Sequence, residues 1–140
     1  MTPGPSRGAG GQALIETAIT LPVMLILFLG FLAVGLAVQG AVDLNTAVYL
    51  ATASAATAPA NSPAIGQGYA RDTYTYTLQH FRYLADSGQS ITCTGTWAPG
   101  SQINCTASAT VQLTSTFAIF ADLPLTARAT ATVSQYRSGP

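Results

Sequence analysis

Residues 17–42 carry no charged side chain. Wound as an α-helix at ~1.5 Å per residue, such a stretch is roughly 39 Å long, more than the ~30 Å hydrocarbon core of a bilayer. The chain has 140 residues in all. That leaves room for this one apolar helix and one small domain of about 80 to 90 residues.

Composition agrees with that division. Charged residues make up 7% and apolar residues 49% of the chain, and the formal net charge is zero; a soluble domain carries ~25% charged residues. Lysine is absent. Nothing here suggests a nucleic-acid partner or an electrostatic clamp on anionic lipid. A membrane lipid environment for the helix and a neutral Thr/Ala/Ser-rich domain facing outward fit better.

Residues 1–11 contain two prolines and four glycines, a composition that forms neither a stable helix nor a core. Arg7 precedes the apolar run, and Glu16 and Asp43 flank it. A positive residue before a first span predicts a cytoplasmic N-terminus and an exported C-terminal part. A secretory signal peptide is the competing reading. Its apolar stretch is only about 7 to 15 residues long, with a small-residue cleavage site close behind. Here the run is far longer, Glu16 stands where positive charge is expected, and the Ala51-Thr52-Ala53 triplet lies well past the span.

One carboxylate therefore sits at the mouth of the apolar rod, and its surroundings form a motif. Gly11-Gln12-Ala13-Leu14-Ile15-Glu16, followed by Ala18 and Leu21-Pro22, resembles the TadE-like proteins of the tight-adherence (Flp) pilus system. Thr17 stands where that family usually has an aromatic residue. The resemblance implies cleavage by a prepilin peptidase between Gly11 and Gln12, making Glu16 the fifth mature residue. It also implies that the partners are other pilin or pseudopilin subunits and an inner-membrane assembly platform. In assembled filaments of this kind, the glutamate of one subunit pairs with the N-terminal amine of a neighbour. A charged carboxylate at the edge of an apolar span is costly unless paired or able to reach the interface. Buried together, the two charges offset a desolvation cost that either alone would suffer, so the pair sets register more than it adds stability. The plainer alternative is a glutamate that reaches up to cytoplasmic water.

Pro22 removes one helical hydrogen bond and crowds the carbonyl of Ala18, which predicts a kink between these residues. Gly30, Gly35 and Gly40 recur at spacing five, with Ala33, Ala37 and Ala41 among them. Small residues permit close helix packing in membranes, though they are also ordinary in membrane helices. Beyond Gln39 the pattern Leu44, Val48, Ala51, Ala55 keeps helical spacing. The long helix is expected over residues 12–58, with its membrane half at about 17–42. Pro59 and Pro63 end it.

Residues 64–86 read as a second helix, stopped by Ser87-Gly88. Residues 59–140 form an extracytoplasmic α+β domain. From Ile103 to Leu113, apolar odd positions alternate with polar even ones, and residues 123–134 repeat the pattern, giving two half-buried strands. An earlier strand starts in residues 90–94. Trp97-Ala98-Pro99-Gly100 supplies the turn chemistry between it and the Ile103 strand. Residues 116–124, with Phe117, Ile119 and Phe120, connect the last two strands. The fold class is α+β: a long pilin-like transmembrane helix, then one helix and a three-stranded antiparallel sheet needing a helical cover. This order is similar to the outer domain of TadE-like proteins.

Cys93 and Cys105 are the only cysteines. They flank the Trp97 turn, where strand pairing makes a disulfide geometrically reasonable and implies an oxidising compartment. Two buried thiols or a redox pair are the alternatives. Asn104-Cys105-Thr106 matches a glycosylation acceptor, alone a weak signal. His80, the only histidine, has no ligand cluster at metal spacing. No phosphate loop, nucleophile elbow or His-nucleophile arrangement is present. The sequence thus predicts no enzyme, no catalytic residues, no metal and no cofactor. Two functions fit: a minor pilin or pseudopilin, or a permanently anchored single-pass protein with an outer scaffold or binding domain.

Overall fold

The computed structural model describes residues 9–59, 62–81, 83–86, 91–114 and 120–135. Helix α1 runs over Ala9–Thr57 and helix α2 over Pro63–Leu78. Four strands follow: β1 (Leu84–Asp86), β2 (Thr92–Gly95), β3 (Gln102–Val111) and β4 (Leu123–Thr132). Strand β3 is central. Along one side it pairs antiparallel with β4 over its whole length, and along the other it pairs with β2 at one end and β1 at the other.

Two expectations need correction. The second helix ends at Leu78 and does not reach residue 86. After Leu78 the backbone tightens: His80 N–H donates to Thr77 O at 3.2 Å, Phe81 N–H to Leu78 O at 2.9 Å and Leu84 N–H to Phe81 O at 3.2 Å. These three-residue turns swing Leu84–Asp86 against β3, opposite Val111, Thr110 and Ala109, so the sheet has four strands rather than three. Pairing with a partner distant in sequence overrides a local pattern that reads as helix. Second, α1 starts at Ala9 and so includes three residues of the expected unstructured leader. Extending an existing helix adds one hydrogen bond per residue fixed, so two glycines at ~1 kcal/mol each do not stop it. The Ser87-Gly88 stop, Ser90, Phe117, Ile119 and Arg7 lie outside the described residues.

The alternation in β3 does what period two demands. Ile103, Cys105, Ala107, Ala109 and Val111 are buried, while the residues between them face solvent. The buried face packs on α1 and α2. From α1 come Leu44, Ala47, Val48, Ala51 and Ala55, one stripe at helical spacing. The alanines keep the helix close to its neighbours, and Ala70 and Tyr74 of α2 fill the angle between helix and sheet.

Polar groups left over at the element ends find partners. Ser134 N–H donates to Ala56 O at 3.0 Å, satisfying one of the last carbonyls of α1. Ser54 Oγ donates to Tyr69 O at 3.1 Å and accepts from Thr73 Oγ1 at 2.9 Å, which ties α1 to α2. The buried hydroxyl of Thr52 donates back to Val48 O at 2.6 Å. Between β2 and β1, among the described residues, the edge of β3 has no strand beside it, and there Tyr74 Oη donates to Ser108 O at 3.3 Å. The outer edge of β2 is covered by one side chain: Gln67 Nε2 donates to Ile91 O at 2.5 Å, and its Oε1 accepts from Cys93 N–H at 2.9 Å. A free sheet edge is a template for unwanted pairing, and α2 closes this one.

Cys93 and Cys105 stand directly opposite in the β2–β3 register and form a disulfide, with Cα atoms 4.0 Å apart. The turn joining these strands places Gly100 at φ +80, a conformation that favours glycine. It also buries Trp97 against α2, where Gly66 leaves room for the ring.

Candidate functional site

The feature that stands out is the bare lower half of α1. From Leu14 to Phe31 its large apolar side chains are exposed, Phe31 at 77%, except for half-buried Leu29. The most apolar window of the helix has a mean hydropathy of 2.7, with 6% of it buried within the protein. Among the described residues this is the one helix long and apolar enough to cross a membrane. Water does not tolerate so large a continuous apolar surface, so lipid or other protein must cover it.

The expected site residues fall on this rod in order. The Gly11–Gln12 peptide bond lies within the first turns of α1. Glu16 is exposed, and among the described residues nothing pairs with it. Thr17, beside it, turns its hydroxyl inward to Ala13 O at 2.9 Å and leaves the acid as the polar group presented outward. Pro22 lies inside the helix, which continues through it.

The three glycines divide by environment. A methyl group on Gly30 or Gly35 would meet nothing within 4 Å, so both are open. At Gly40 it would lie 2.6 Å from Val111 Cγ2, with Leu84 and Leu125 close by. Gly40 therefore serves the contact between α1 and its own sheet. The glycine spacing alone does not reveal this split, because it depends on residues about 70 positions further along the chain.

Two acidic residues mark the base of the outer domain. Asp43, one residue past the uncharged run, accepts a hydrogen bond from the Tyr83 hydroxyl and so fastens the approach to β1 onto α1. Asp122 accepts from the Thr114 hydroxyl and from Thr114 N–H at 2.9 Å, closing the base of the β3–β4 connection. These bonds, the hydroxyl first, favour the ionised form and hold the Asp122 carboxyl below its ordinary value. Sequence spacing gave no signal for either pairing. His80 packs at the end of α2, its Nδ1–H donating to Tyr76 O at 2.8 Å and its ring 4.9 Å from that of Tyr76. Among the described residues no group of three potential metal ligands occurs.

These features define a class: a small α+β domain carried on the upper half of a helix whose lower half is built to be covered by lipid or by other helices. The family model described as TadE-like protein matches residues 11–53. The match starts at Gly11, includes Glu16 and ends in the upper part of α1, so over these residues the chain is similar to that family. No curated protein and no solved structure matches the chain.

Proposed function

We propose that this protein is a minor pilin or pseudopilin of a tight-adherence (Flp) pilus. It acts by assembly and not by catalysis. A prepilin peptidase cuts between Gly11 and Gln12, with the N-terminus on the cytoplasmic side and the sheet domain outside the cytoplasmic membrane. An inner-membrane assembly platform then moves the helix from lipid into a filament or its tip. The observation that carries this reading is the coincidence of the Gly11–Glu16 motif with an exposed apolar rod continuous with the outer domain.

The cut changes the electrostatics of Glu16. In the uncut helix no acidic residue lies in the first turn. Cutting after Gly11 makes Gln12 the first residue. Glu16 then sits close to the positive helix end, an arrangement worth ~0.3–1 kcal/mol near a helix N-terminus. It also creates the amine that a neighbouring subunit's glutamate can pair with. Glu16→Ala is expected to leave cleavage and membrane insertion intact while blocking incorporation. Sheared extracellular filaments, probed for this chain, provide the measurement. Wild-type incorporation of the variant overturns the assigned role.

A permanently anchored single-pass protein with an outer scaffold or binding domain is the second reading. One observation favours it: α1 begins at Ala9, so the Gly11–Gln12 bond is helical and must unwind before a peptidase can use it. Two adjacent glycines make that unwinding cheap, since each is ~1 kcal/mol less favourable than alanine in a helix. N-terminal sequencing of the protein from membranes separates the readings. Gln12 as first residue supports the pilin, and an intact leader supports the anchor.

A further inference from the structure

We propose that the outer domain rests directly on the lipid surface, with the base of its sheet at headgroup level, and that the hydrocarbon-embedded part of α1 ends near Leu32 rather than Val42. The inference rests on the reading of the lower helix as a membrane span, and it adds a second contact with lipid, made by the sheet domain itself.

The first observation is where the domain begins to cover the helix. Ala33 is 6% exposed although Phe31 and Val34 on either side are 77% and 62% exposed. Ala18, equally small and lower on the rod, is exposed. From half-buried Leu29 through Ala33 a continuous stripe turns inward: Leu36 packs against the core, Gly40 touches Val111, and Leu44 is buried. Lipid cannot reach that face of residues 33–42.

The second observation is how low the sheet comes. Strand β4 runs alongside α1 in the same direction, with Leu125 near Gly40 and Ser134 bonded to Ala56. A strand advances ~3.3 Å per residue and a helix ~1.5 Å, so two strand residues match about four helical ones. Leu123 therefore comes level with roughly residue 36. Leu113 and Phe120 continue past the paired ends of β3 and β4.

A span reaching Val42 would sink this base into hydrocarbon. It would submerge Asp122, Thr114 and the non-strand backbone that follows Val111. An acidic side chain at mid-membrane costs ~2.5–3.5 kcal/mol even on the most permissive scale, and irregular backbone exposed to lipid does not occur there. Residues 13–32 remain, with Glu16 one turn inside their lower end, where its side chain reaches the cytoplasmic interface. At ~1.5 Å per residue they cover roughly 30 Å, which equals the hydrocarbon thickness. Leu123, 40% exposed, and half-buried Phe120 then stand at the interface, with the acidic Asp43 and Asp122 in the headgroup layer. Contact with lipid is thus by apolar burial, and the two acids rule out attraction to anionic headgroups.

The test uses the full-length protein in phosphatidylcholine vesicles. Single cysteines are introduced at Phe28, Val38, Leu123 and Thr126, with the native disulfide intact, and each is nitroxide-labelled. Collision with oxygen and with a water-soluble nickel complex reads depth. The Phe28 label should lose nickel collisions, the Val38 and Thr126 labels should keep them, and the Leu123 label should fall between. Repeating the series with phosphatidylglycerol added should not deepen Leu123. A Val38 label as protected from nickel as Phe28 overturns the boundary. A Leu123 label as open as Thr126 overturns the seating. If Phe28 itself is open to nickel, the membrane-span reading has failed, which is distinguishable from failure of the seating alone.

Discussion

Trp97 and Gly66 offer a sharp test of how the outer domain is packed. A methyl group on Gly66 would sit 2.0 Å from Trp97 Cζ3 and 2.7 Å from both Cε3 and Cη2. Carbon atoms pack at ~3.5–4.0 Å, so the ring or the helix must give by more than about 1 Å. The ring is 8% exposed, so moving it disturbs the groups packed around it. Overpacking of this kind costs ~1–3 kcal/mol. At Gly68, half a turn further along the same helix, an added methyl would meet nothing within 4 Å. Both substitutions to alanine gain the same helix propensity, ~1 kcal/mol, so the difference between the variants isolates the steric term. At ~4–8 °C per kcal/mol for a domain of this size, Gly66→Ala should melt roughly 4–24 °C below Gly68→Ala. Heating the full-length protein in detergent micelles, followed by the fluorescence of Trp97, the chain's single tryptophan, provides the measurement. Equal midpoints would refute the packing of this turn on α2.

Three further outcomes follow from the structure. Replacing Cys93 and Cys105 together by serine opens a cross-link between residues twelve apart and should cost about 2–4 kcal/mol in denaturant titration under non-reducing conditions. Asp122 has its pKa lowered by Thr114, so the stabilisation it gives is present above the ordinary carboxylate pKa and is lost as pH falls through the depressed folded value. An NMR titration of its carboxyl should therefore show a midpoint below that of the same residue in the Thr114→Ala variant. Gly30→Leu and Gly35→Leu fill open space in the isolated chain, so the melting of the outer domain should stay within about 0.5 kcal/mol of wild type. Under the proposed filament assembly, both should also reduce recovery of the chain in sheared filaments, where closely packed subunit helices would leave no room for the added side chain.

Much of this architecture was legible because its signals are periodic and local. The uncharged run announced the rod, and alternation over residues 103–113 and 123–134 announced β3 and β4 with the correct faces inward. The cysteine pair was readable because its two strands flank a turn marked by Pro99-Gly100. What stayed hidden depends on distant partners. Leu84-Ala85-Asp86 contains no β-branched or aromatic residue, and it is a strand only because β3 offers an unfilled edge. Trp97 reads as a turn residue, and nothing in its neighbourhood says that it packs on Gly66. The pairing of Asp43 with Tyr83 joins residues forty positions apart. Glu16 was conspicuous for the opposite reason: a lone charge against an apolar background is visible without any knowledge of the fold.

The two halves of α1 use the same residue types under different constraints. Between Leu21 and Leu32 the helix is apolar all round, as an element covered on every side must be. Above that stretch one apolar stripe meets the sheet, Val34, Val38 and Val42 stay exposed to the end of the uncharged run, and Asn45, Thr46 and Tyr49 then face outward. Averaged over 49 residues these patterns leave almost no amphipathic signal. Because one continuous helix carries both halves, the sheet domain is fixed to the rod by Asp43–Tyr83, by the Gly40 contact and by the Ser134–Ala56 bond. Under the proposed pairing of Glu16 with a neighbour's amine, that rigidity has a mechanical consequence. A one-turn change of register at Glu16 moves the outer domain along the axis by the full ~5.4 Å helical pitch, because no loop separates the two to absorb the shift. A weak ion pair at the base can therefore place the whole domain, contributing position where it contributes little stability.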